Sequence, residues 1–166
     1  HPAFDHFALL TFFGGPAANV SAYIQPMEAE RGGQATVAVG YQDAGRYGLL
    51  ECTWAPQLHL RSEYYAHDVA AELCGTDGII WLRRGMADRT TEAPISVRVG
   101  MSAYTIGVET GMREDWAGVY DTAAAEFLAM VGGRTTILIG DQELVTARRL
   151  ADRVYQAAQT PGVLAL

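Results

Sequence analysis

Residues 72–82, Glu-Leu-Cys-Gly-Thr-Asp-Gly-Ile-Ile-Trp-Leu, constrain this chain more than any other stretch, because two apolar strand-like runs meet there across Gly75-Thr76-Asp77-Gly78. Asp and Gly tolerate the positive φ that a tight antiparallel turn demands, so the segment predicts a β-hairpin with arms His67 to Cys74 and Gly78 to Arg84. Its neighbours carry the same period of two. Ala17 to Gln25 places Val20, Ala22 and Ile24 on one face and Ser21, Tyr23 and Gln25 on the other. Gln34 to Gln42 alternates through Ala35, Val37, Val39 and Tyr41, and Asp43-Ala44-Gly45-Arg46 turns the chain into Tyr47 to Trp54. Pro94 to Val99 reads as another strand, and a further one runs through Tyr104, Ile106 and Val108.

Helical patterns stand at the two ends. Pro2 can open a helix with Asp5 in its first turn, where the dipole favours a carboxylate; the segment Phe4 to Phe13 is apolar on most sides and stops at Gly14-Gly15-Pro16. From Met112 to Val131 the period lengthens, and Trp116, Tyr120, Ala123, Phe127, Met130 and Val131 form one stripe predicted to pack inward. Asp141 is the expected N-cap of a last helix through Leu144, Ala147, Ala151, Val154, Tyr155 and Ala158, closed by Pro161-Gly162. Val163 to Leu166 can return to the sheet as a short strand. Strands joined by hairpins and followed by helices predict an α+β fold, a predominantly antiparallel open sheet with helices on one face. Tyr23, Tyr41, Tyr47 and Trp81 cannot all face those helices. A bare apolar sheet face is unusual on a monomer, so a homodimer or homotetramer through the open face is expected.

The 166 residues suit one globular domain, 1–166, and 49% hydrophobic residues suffice for its core. A net charge of -7 argues against nucleic acid and anionic membranes as partners. All 12 basic residues are Arg, which excludes Schiff-base or lysine acid chemistry by these residues alone. Cys52 and Cys74 fall in predicted strands as two reduced core thiols, too few for a four-cysteine zinc site. With no apolar run of membrane-spanning length and no basic-then-apolar leader, the cytoplasm is the expected compartment. His1, Asp5 and His6 could together hold a metal, although the reading adopted has no metal site. A copper-chelating amino-terminal histidine belongs to all-β oxygenases, and the long helical patterns argue against it.

The succession resembles the C-terminal domain of the glucose-fructose oxidoreductase, inositol dehydrogenase and MocA family of NAD(P)-dependent oxidoreductases. Carrying the resemblance are His1-Pro2-Ala3-Phe4-Asp5 with Phe12-Phe13-Gly14-Gly15, then Gly48 to Trp54, Glu72 to Ile80, the Trp116 helix, and the close from Ala147 to Leu166. It implies a substrate-binding and oligomerisation domain of an enzyme acting on a sugar, cyclitol or related polyol. NAD or NADP would be held by a separate Rossmann domain that also carries a catalytic lysine. No G-x-G-x-x-G follows a strand here, so the chain alone is expected neither to hold the dinucleotide nor to transfer hydride. His1 matches the family's catalytic histidine, and imidazole suits removal of a carbinol proton near neutral pH. Asp5 follows it by four residues where the family commonly has three. Trp54 could stack on a sugar's C–H face, and Arg61, Tyr64, Tyr65 and His67, in the irregular segment Ala55 to Tyr65 and just beyond it, could bind hydroxyls. For His6 a structural role is expected, and for Trp116 and Tyr120 core packing. The alternative from another class is a free-standing, non-catalytic binding or scaffold module derived from the same domain.

Overall fold

The computed structural model describes residues 4–25, 34–52, 69–84, 93–106, 116–134, 139–159 and 164–165. In order these form α1 (Phe4–Gly14), β1 (Ala17–Gln25), β2 (Gln34–Tyr41), β3 (Tyr47–Cys52), β4 (Val69–Cys74), β5 (Gly78–Arg84), β6 (Ile95–Val99), β7 (Ser102–Ile106), α2 (Trp116–Val131), α3 (Asp141–Gln159) and β8 (Leu164–Ala165). Every ladder among them is antiparallel. The architecture is α+β, as the alternation of periods predicts. The strands divide into two four-stranded sheets, β3-β2-β1-β8 and β4-β5-β6-β7, and the chain into two compact units, His1–Gln57 with Thr136–Leu166, and Leu58–Thr135.

In the first unit α1 and α3 lie on one face of β3-β2-β1-β8. Period two in the strands and period 3.6 in α3 deliver Val20, Val37, Val39, Ala147, Leu150, Val154 and Ala157 to one core, joined by Phe7 and Ala8 of α1. Each large aliphatic side chain so buried contributes about 1.5–3 kcal/mol. The outward residues of the same strands include Tyr23 at 68% exposure, Tyr47 at 76% and Leu49 at 64%. Helix α3 starts at the expected cap itself, one residue earlier than predicted. Gly140 precedes the helix, its N–H donates to Glu143 Oε2 at 2.9 Å and its carbonyl accepts from Leu144 N. Asp141 therefore occupies the first helical position, where its charge suits the dipole.

In the second unit the β4–β5 hairpin forms with Leu73 opposite Ile80 and Glu72 opposite Trp81. Gly75 N donates to Gly78 O at 2.8 Å across the turn. Gly78 is not in the left-handed region, which here holds Gly15, Gly45, Gly100 and Gly133. The reason for glycine at 78 is space, because a Cβ there would overlap the Arg98 carbonyl of β6. The stripe on α2 also departs from expectation: Tyr120, Phe127 and Val131 are 58–67% exposed rather than packed, while Met130 is half-buried. Trp116 begins that helix, but its side chain lies outside the described residues.

Candidate functional site

Helix α1 positions the one predicted site residue whose side chain is described, and its C-terminal half is pinned by three devices. The Thr11 hydroxyl, buried, bonds the carbonyls of Phe7 and Ala8 at 3.1 and 3.0 Å, keeping a polar atom satisfied inside the core. Gly15 adopts φ +86° and donates its N–H to Thr11 O at 2.9 Å, which ends the helix. From β2, the Tyr41 hydroxyl donates to Leu10 O at 2.9 Å. Its ring fills the space left by two missing side chains: a Cβ on Gly14 would overlap the ring, and one on Gly48 would stand 2.5 Å from the Tyr41 oxygen. Burial pushes the Tyr41 phenol above its usual range. At the other end of the helix Asp5 is exposed in the first turn. His6, next to it, is half-buried with Nδ1 shielded from solvent.

The remaining predicted residues, His1, Trp54, Arg61, Tyr64, Tyr65 and His67, lie outside the described residues. Among the described residues no group of three or more His, Cys, Asp or Glu is placed to hold a metal ion.

Sequence reasoning overlooked a polar cluster on β4 and β5. Trp81 Nε1 donates to Glu72 Oε2 at 2.7 Å, and Cys74 Sγ lies 3.4 Å from Glu72 Oε1. The register continues the row from Glu72 and Trp81 to Ser96 and Thr105, and sets Arg98 in the adjoining row with Cys74 and Ile79. Chemically this is a carboxylate with a fixed orientation beside an indole, two hydroxyls in line with it, and a guanidinium one row away. The Glu72 carboxylate, by accepting a hydrogen bond from the protonated thiol, pushes the Cys74 thiol above its usual range, with desolvation and the carboxylate's charge adding to the effect. Cys74 is exposed rather than a core residue, and Cys52 on β3 is half-buried, its thiol raised by that burial. The hairpin register, legible from the Gly75–Gly78 turn, was the signal that would have paired Glu72 with Trp81.

A nicotinamide dinucleotide does not fit the described elements. Its pyrophosphate is cradled where a parallel strand turns into a helix, and the ladders here are all antiparallel. No helix among the described residues is long and apolar enough to cross a membrane.

No protein-family model matches the chain, and no curated protein matches it in sequence. Solved structures do match in fold. A Thermotoga maritima protein assigned as an oxidoreductase superposes with a TM-score of 0.73 at 11% identity, covering 99% of this chain and 45% of that one. An Agrobacterium radiobacter oxidoreductase, solved with NAD+, L-tartaric acid and magnesium, gives 0.69 at 15% identity over 99% of this chain and 48% of its own. The WlbA dehydrogenase of Bordetella pertussis, in complex with NADH and UDP-GlcNAcA, gives 0.61 at 15% identity over 100% and 44%. The chain thus has the fold of about half of each of several oxidoreductases, two of them solved with NAD+ or NADH.

Proposed function

We propose that this chain is the substrate-side and assembly domain of an NAD(P)-dependent oxidoreductase of the glucose-fructose oxidoreductase, inositol dehydrogenase and MocA type, acting on a sugar, cyclitol or related polyol. The observation that carries the reading is the coverage: nearly all of this chain superposes on less than half of enzymes whose structures contain NAD+ or NADH. The order of sequence motifs points the same way. In this reading His1 accepts the proton of the substrate hydroxyl, Asp5, Trp54, Arg61, Tyr64, Tyr65 and His67 bind the polyol, and the dinucleotide is held by other polypeptide. Pinning α1 to the sheet through Tyr41 gives Asp5 a rigid mount. Copies associate through the outward face of the first sheet, where Tyr23, Tyr47 and Leu49 stand exposed.

The test is to express the chain together with its upstream coding region and assay dinucleotide reduction against a panel of sugars, inositols and sugar acids. Reduction that requires the upstream region and falls at least a hundredfold in His1→Ala supports the reading. A coding region lacking a glycine-rich βα turn, with no turnover on the panel, supports the non-catalytic module instead. Reduction of NAD(P) by the 166-residue chain unaided would overturn the reading.

A further inference from the structure

Tyr41 occupies a seat in the first unit that two other positions leave open for it. It ends β2 at 8% exposure, and its ring stands where Gly14 of α1 and Gly48 of β3 have no Cβ. Neither glycine is in the left-handed region, so the backbone does not demand glycine at 14 or 48; room for the ring does. Gly48 lies inside a strand, where glycine costs stability. A leucine or valine at 41 would bury apolar surface without that cost. What the tyrosine adds is a hydroxyl that donates to Leu10 O of α1 at 2.9 Å.

The base of this contact is firm. Tyr41 pairs with Ala17 in the β1–β2 ladder, its N–H donates to Arg46 O at 3.3 Å, and Gln42 N donates to Pro16 O at 2.9 Å. The helix is held differently. Phe7 and Ala8 bury one side of α1 at 5 and 6% exposure, but apolar packing has no preferred direction, and packed helices shift past one another by about 1–2 Å. A hydroxyl–carbonyl bond tolerates only a few tenths of an ångström. Leu10 is about 7.5 Å along the helix axis from Asp5. A rigid helix carries a slide to Asp5 undiminished, and a tilt of about 10° about Leu10 moves Asp5 by about 1.3 Å.

The geometry points to Tyr41 as a positioning residue: seated in the socket made by Gly14 and Gly48, it sets the axial place of α1 and, through it, the place of Asp5 near the helix's other end. Burial of Phe7 and Ala8 keeps α1 on the sheet, and the bond to Leu10 O decides where along the sheet it stops. The inference rests on the oxidoreductase reading, in which Asp5 binds the polyol and His1, three residues before α1 in the sequence, takes its proton. Misplacing reacting groups by about 1 Å costs about a hundredfold in rate, so a residue that touches no substrate controls turnover from the far end of the helix.

The experiment uses the chain expressed with its upstream coding region, assayed at a temperature where circular dichroism shows every variant folded. Tyr41→Phe, which keeps the ring and loses the bond, is expected to lower kcat/KM for the polyol about tenfold; Tyr41→Leu, which loses both, about a hundredfold. KM for the dinucleotide, held by other polypeptide, stays within twofold in both. Val20→Ala is the control, fully buried in the same core on β1. It lowers the melting temperature but leaves the Tyr41–Leu10 bond in place, so its kcat/KM stays within twofold of the wild type. Tyr41 variants with wild-type kcat/KM, or a Val20→Ala loss as large as theirs, would overturn the inference, the second because stability alone then explains the effect. A crystal structure of Tyr41→Leu, superposed on β1 to β3, provides a readout free of activity: α1 is expected to shift by about 1 Å, and a helix left in place refutes the positioning role. A wild type without turnover sinks the oxidoreductase reading instead, and the helix position then decides the inference by itself.

Discussion

Gly48→Ala, made in the wild type and again in a Tyr41→Phe background, tests the packing that pins α1 to the first sheet. In the wild type the added methyl would stand 2.5 Å from the Tyr41 hydroxyl oxygen and 3.0 Å from Leu10 Cδ2, so one of them must give way. Overpacking of this degree costs about 2 kcal/mol. Tyr41→Phe alone forfeits the 2.9 Å bond to Leu10 O, worth about 1 kcal/mol. It also removes the oxygen that the new methyl strikes, leaving the ring carbon at 3.2 Å, a tight contact that small adjustments absorb. The Gly48→Ala penalty should therefore fall to about 1 kcal/mol in the Tyr41→Phe background, a coupling of about 1 kcal/mol in a double-mutant cycle. Gly14→Ala is the control, because its methyl overlaps the ring itself. Its cost should be the same with either residue at 41. Urea unfolding followed by circular dichroism, extrapolated linearly, resolves differences of this size. Equal Gly48→Ala penalties in the two backgrounds, or relief of Gly14→Ala by Tyr41→Phe, would refute the reasoning.

Leu150→Ala, at a position 2% exposed in the first core, should lower unfolding stability by about 3 kcal/mol, read from the shift of the urea midpoint. The raised Cys74 thiol holds less thiolate than a free cysteine at pH 8, so iodoacetamide should label it more slowly than a reference peptide, and Glu72→Gln should speed the labelling; mass spectrometry of the Cys74 peptide reports both. Tyr41 ionises at higher pH folded than unfolded, so its burial stabilises fully below about pH 10 and is lost as pH rises through the folded value. Urea titrations from pH 8 to pH 11 should accordingly show a shallower alkaline loss for Tyr41→Phe than for the wild type.

Much of the architecture was legible because period and punctuation are local properties. Ala17 to Gln25 begins and ends where its alternation does, and Asp43 to Arg46 turns the chain with Gly45 at φ +85° and an Asp43–Arg46 ion pair of 3.0 Å. The helices from Phe4 and Asp141 are bounded by the glycine and proline that flank them. The candidate site was less legible. Of its predicted members Asp5 has a described position, and the Glu72–Trp81–Cys74 cluster escaped notice because it is created by register across the hairpin, nine residues apart at its widest.

What the chain determines by itself is which segments are strands and helices and which residues share a face, since side-chain direction follows from backbone period alone. Tertiary structure decided which of those faces meet. It set Gly78 against the Arg98 carbonyl, where close approach rather than a positive φ requires glycine. It gave Val154 on α3 a buried seat and left Phe127 and Val131 of the α2 stripe exposed. The physical reason is that burial is a relation between two surfaces: an amphipathic pattern announces that a segment has an apolar side, and only the three-dimensional placement of its partner determines whether that side is covered.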